Sequence, residues 1–179
     1  HIPWIHNVKN TDVVMAIDDN DALAFFRLLN EKAGHEYLEG LGIDKEMIKK
    51  LPFVGISGAA NILMCIKFAK YYELSENDCL FTVLTDSSDM YKSRLKEMDD
   101  QLGKYNKVKA EIDHNRSVLG QSIANLEELT YHNKKRIHNL KYYTWIEQQM
   151  YDVKELNAQW YDYDNYWGRL HKMADDLDK

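Results

Sequence analysis

An abrupt change of side-chain size constrains this chain most: Phe53-Val54-Gly55-Ile56-Ser57-Gly58-Ala59-Ala60 runs directly into Asn61-Ile62-Leu63-Met64-Cys65-Ile66-Lys67-Phe68-Ala69-Lys70. Small residues followed by bulky apolar ones predict a tight turn feeding a buried helix. At such an entry the backbone can approach a ligand closely, and the first helical amides and the Ser57 hydroxyl point outward. A polar ligand could dock there. Taken alone, the same residues also describe an ordinary packing turn in which Ser57 caps the helix.

On either side of this turn the apolar pattern predicts strands. Val13-Val14-Met15-Ala16-Ile17 reads as a buried strand, and Asp18-Asp19-Asn20 as the cap of a helix whose apolar face includes Ala22, Leu23, Phe25, Phe26, Leu28 and Leu29. Gly34 is placed to end that helix. Asp44 caps a further short helix up to Lys50, with Pro52 as its stop. Leu80-Phe81-Thr82-Val83-Leu84 predicts a second strand, closed by the polar loop Thr85-Asp86-Ser87-Ser88-Asp89. Residues 1–100 therefore read as an α/β domain. In such sheets ligand sites lie outside the carboxyl ends of the strands, which selects the loops at Asp18, Gly55 and Asp86.

Beyond Met90 no strong strand is expected, and residues 101–179 read as a helical extension. Gly103 and Gly120 interrupt it, and helices are predicted over 121–130, over 133–149 and from Asp152, where Asp152 and Glu155 have capping-box spacing. The tryptophans Trp145, Trp160 and Trp167, with many tyrosines, are expected to pack against the main domain or a sister subunit.

The bulk properties exclude several classes. At 179 residues, with 45% hydrophobic and 29% charged residues, the chain can bury a core and is neither disordered nor fibrous. A net charge of -6 leaves no basic face for nucleic acid, and Lys134-Lys135-Arg136 is too small a cluster to reverse that. No apolar stretch is long enough to span a bilayer, and His1-Ile2-Pro3-Trp4-Ile5-His6 lacks the features of a signal peptide. That beginning, an X-Pro segment without Met, fits a start inside a longer polypeptide. Cys65 and Cys79 form no Cys-x-x-Cys pair, which suits a reducing, cytoplasmic setting with Cys65 as a buried thiol. His132 and His138 with Glu127 or Glu128 do not make a His-Glu-x-x-His metal site, and no Gly-x-Ser-x-Gly elbow occurs.

Gly55-Ile56-Ser57-Gly58-Ala59-Ala60-Asn61 and, after a helix and a strand, Asp86-Ser87-Ser88-Asp89-Met90-Tyr91 resemble the fold type II pyridoxal-phosphate (PLP) enzymes, the group of cysteine synthase and cystathionine beta-synthase. The likeness extends over about residues 1 to 95, with Ile2-Pro3 and the stretch from Asp12 to Asp21 matching the segment before the glycine turn. It implies a PLP-dependent lyase or transferase that acts on a small amino acid by beta-elimination or beta-replacement. Gly55, Ser57, Asp86 and Ser87 would then bind cofactor, with the Ser57 hydroxyl on the pyridine nitrogen. Homodimers are common in that group.

Gly58 stands where the group commonly has a second Ser, and Thr85 where it has Pro, so the substrate is not specified. The group's Schiff-base lysine, its substrate-binding asparagine loop and its glycine-rich phosphate loop have no counterpart in this sequence. No residue here is therefore assigned a catalytic role or a metal, and the chain alone is expected to be inactive without the amino-terminal portion of such an enzyme. The competing expectation is a non-catalytic interaction module whose helical tail binds another subunit.

Overall fold

The computed structural model describes residues 6–178, so the Ile2-Pro3 pair lies outside the described residues. An aspartate opens the first helix, as expected. Asp18 accepts the Asn20 amide at 2.8 Å and starts α1 (Asp19–Asn30). Gly34, however, does not end α1. The chain turns at Glu31 and enters α2 (Lys32–Gly40), where a Cβ at Gly34 would lie 2.1 Å from the Leu28 carbonyl oxygen. The glycine is needed for backbone-to-backbone packing of α2 on α1. Asp44 caps α3 (Lys45–Ile48) through the amides of Glu46 and Met47. A 3-10 turn, Leu51–Phe53, then leads into the predicted apolar helix, α4 (Ile56–Tyr71). Two more helices follow, α5 (Lys92–Leu102) and α6 (Lys107–Asp113), separated by Gly103 at a φ of 75°. A π-helical turn, His114–Leu119, closes at Gly120.

Residues 15–125 form one unit around these helices. Phe25, Phe26, Leu28 and Leu29 of α1 bury against Ala59 and Leu63 of α4, joined by Met98 of α5 and Ala110 of α6. Each large side chain sealed in this way contributes about 1.5–3 kcal/mol. Arg27, also buried, is compensated by Glu31 at 3.2 Å and by Asp99, and its guanidinium stacks 4.6 Å from the Tyr105 ring centre.

The second unit comprises residues 6–14 and 126–178. Thr130 caps α7 (Tyr131–Lys141), which continues through a π-helical turn at Tyr142–Ile146 into α8 (Glu147–Gln149). Asp152 caps α9 (Val153–Tyr161), and a further π-helical turn, Asp164–Gly168, precedes α10 (Arg169–Leu177). The expected capping box is absent, because Glu155 instead accepts the Tyr151 hydroxyl at 2.9 Å. Trp145, Trp160, Tyr166 and Trp167 are buried inside this unit, with Tyr166 and Trp167 edge to face and the Trp167 indole donating to the Gln159 carbonyl. The aromatic tail supplies its own core.

The expected α/β fold is overturned. The chain is 68% helical, and among the described residues the one sheet has two short strands, β1 (Val13–Met15) and β2 (Leu126–Glu128). Flanking bonds join Leu129 to Asp12 and Ala16 to Asn125, so the pair is antiparallel. Two features of the chain explain the difference. Asn125, at a φ of 57°, breaks the helix expected over 121–130 and releases β2 as a partner for β1. Leu80–Leu84, the other expected strand, lies in neither helix nor sheet. A strand is stabilised by its ladder, and no segment among the described residues offers this one a backbone edge.

No single helix among the described residues is long and apolar enough to cross a membrane.

Candidate functional site

The first amide hydrogen bond of α4 runs from Ala59 to the Gly55 carbonyl, at 2.9 Å. Gly55 is thus the N-cap, and Ser57 lies inside the first turn and does not cap the helix. Ser57 is exposed, and its hydroxyl bonds to no group among the described residues. The amides of Ile56, Ser57 and Gly58 precede the helical ladder. The turn therefore presents hydrogen-bond donors at the positive end of a 16-residue helix.

Gly55 ties this turn to the second predicted loop. Its amide donates to the Asp86 carbonyl at 2.7 Å, and a Cβ on Gly55 would come within 2.6 Å of that oxygen and 2.9 Å of the Tyr91 ring. Only glycine permits this approach. The Tyr91 hydroxyl donates to the Asp86 carboxylate at 3.1 Å, and that bond holds the phenol protonated beyond its usual range. Ser87 follows, half-buried, as the cap residue of a short 3-10 turn, Ser88–Tyr91. Gly55, Asp86 and Tyr91 are therefore in direct contact, with Ser57 two residues beyond Gly55 and Ser87 directly after Asp86.

Of the three loops selected from sequence, the structure joins these two. Asp18 instead lines a separate polar cavity of about 400 Å³ with Asp19, Asp21, Lys67 and Gln121. Lys67 is buried there, and its ammonium donates to the carbonyls of Ala16 and Ala124. Sequence reasoning missed this lysine. Its signal is a lone cation inside the apolar run Cys65-Ile66-Lys67-Phe68, which burial requires to be satisfied by hydrogen bonds. It also missed Asn61, one helical turn beyond Ser57, whose amide donates to the Val83 carbonyl at 2.8 Å and lays the 80–84 segment along α4. Cys65 is half-exposed, contrary to expectation, because it lines an open groove with Met15, Met64 and Phe68.

No protein-family model, curated protein or solved structure matches this chain.

The donor set of the Gly55–Ser57 turn suits an aromatic nitrogen. It combines a hydroxyl without a competing acceptor and helix-start amides, and the neighbouring carboxylate of Asp86 is engaged by Tyr91. Among the described residues, no cluster of three or more His, Cys, Asp or Glu could hold a metal ion.

Proposed function

We propose that residues 55–57 and 86–87 form the ring-facing wall of a PLP site, in a lyase or transferase that acts on a small amino acid by beta-elimination or beta-replacement. One contact carries the reading: the 2.7 Å bond from the Gly55 amide to the Asp86 carbonyl, which unites the two separated motifs and leaves the Ser57 hydroxyl outward. Ser57 would donate to the pyridine nitrogen, and Gly55, Asp86 and Ser87 would shape the adjoining wall. The positive end of α4 would disfavour a protonated pyridine, so the Ser57 hydroxyl would donate its hydrogen bond to a neutral ring nitrogen. When bound, PLP supplies an electron sink for bond breaking at the substrate's alpha carbon. A neutral ring is the weaker sink, which suits elimination and replacement at the beta carbon.

Catalysis in this reading also needs a Schiff-base lysine, a phosphate loop and a substrate-carboxylate loop from an amino-terminal portion of the same enzyme. The chain alone would be inactive. A cytoplasmic setting and a homodimer belong to the same proposal; the two free cysteines support the former. The test is expression of the complete reading frame encoding this chain, followed by visible absorbance after addition of PLP and then of O-acetylserine, cysteine or threonine. Ser57→Ala should weaken cofactor affinity by about tenfold, the value of one hydrogen bond to a ring nitrogen. No chromophore in the complete protein, or one unaffected by Ser57→Ala, contradicts the assignment.

The second reading, a non-catalytic interaction module, is favoured by one observation: the apolar segment at 80–84 is uncovered.

A further inference from the structure

Leu80-Phe81-Thr82-Val83-Leu84 combines high strand propensity with an open backbone. Within it only the Val83 carbonyl has a hydrogen-bond partner among the described residues, the Asn61 side chain. One side of the segment rests on α4, where Leu84 lies against Gly58; Phe81 and Val83 are 94% and 68% exposed. Beside it, Met15, Met64, Cys65 and Phe68 line an apolar groove of about 260 Å³, room for one or two aliphatic side chains. An apolar row flanked by unpaired amides and carbonyls is a template for strand addition.

Charge selects the occupant. The segment itself is uncharged, but Glu76 and Asp78 precede it and Asp86 follows it, while Asp89 is already paired with Lys92 at 2.8 Å. Asp78 is held ionised by the amide and hydroxyl of Ser75, at 2.7 and 3.0 Å. Two copies of this chain paired antiparallel about Thr82 would place Asp78 opposite Asp86 at both ends, and like charges directly opposite destabilise a strand pair. A second copy is therefore disfavoured. The geometry points to a β-strand of a partner polypeptide, apolar or β-branched at its centre and basic at both ends, that pairs with residues 80–84 and seats a side chain in the groove along α4.

The experiment uses this chain and a labelled peptide of alternating valine and threonine flanked by lysines, followed by fluorescence anisotropy at low and high salt. The lysine-flanked peptide should bind roughly tenfold more tightly than a glutamate-flanked control, with the difference shrinking as salt rises. Thr82→Pro removes a ladder amide and should weaken binding by about tenfold with an unchanged circular dichroism spectrum. Should that variant lose helix signal, Phe81→Asp, at an exposed side chain, should give the same loss of binding. Equal affinity for the two peptides, binding indifferent to both variants, or no binding by either peptide overturns the proposal. A concentration-dependent dimer abolished by Thr82→Pro also overturns it, since the occupant would then be a second copy.

Discussion

Single atoms decide the behaviour of the Gly55–Asp86 contact. A methyl group on Gly55 would overlap a backbone oxygen and the Tyr91 ring, neither of which is the loose end of a flexible side chain. Gly55→Ala should therefore lower stability by about 1–3 kcal/mol, measured by urea unfolding. Ser57→Ala, which removes a hydroxyl without a partner, should change stability by less than about 0.5 kcal/mol. A larger loss would mean that the serine serves packing. His138 makes a separate prediction. It is buried against Trp160, and that burial, with Lys141, Lys135 and Lys9 nearby, lowers its pKa from 6.5 to about 4. The unfolded chain binds this proton below about pH 6.5 and the folded chain only below about 4. Stability should fall between those values as pH drops, by up to about 3 kcal/mol. His138→Gln should flatten that slope in unfolding curves taken at pH 7 and pH 4.5.

At the scale of elements, legibility follows the range of the forces involved. The caps at Asp18, Asp44 and Asp152 and the interruption at Gly103 were readable because a cap is a bond between residues two or three apart. Asp18→Ala should accordingly cost about 1 kcal/mol, seen as a lower thermal midpoint. Strand pairing was not readable. Both Val13–Met15 and Leu80–Leu84 have strand composition, and which of them gains a ladder depends on Leu126–Glu128, more than a hundred residues from the first. Asn61 is the local tether of the unpaired segment. Asn61→Ala should leave the helices intact and speed protease cleavage within 79–87, and unchanged cleavage would show that side-chain packing on α4 is sufficient.

For the molecule as a whole, the uncovered segment is a surface for a partner strand, and the acidic residues on either side of it oppose pairing between copies of this chain, whose net charge is -6. Light scattering should therefore stay low at high protein concentration, and Phe81→Lys should change neither it nor the thermal midpoint, because the side chain is already in solvent. Scattering that rises with concentration and falls in Phe81→Lys would mean that copies associate through this segment.

Residue order alone determined where α1, α3 and α9 begin, the apolar character of α4 and the turns at Gly55 and Asp86, since each depends on bonds and sterics within a few residues. Only the tertiary structure decided that Gly55 meets Asp86, that the tail aromatics bury in their own unit, and that the strand at 80–84 stays unpaired where an α/β sheet was expected. These outcomes depend on which distant backbone edge or side-chain surface is available, and local sequence carries no record of that.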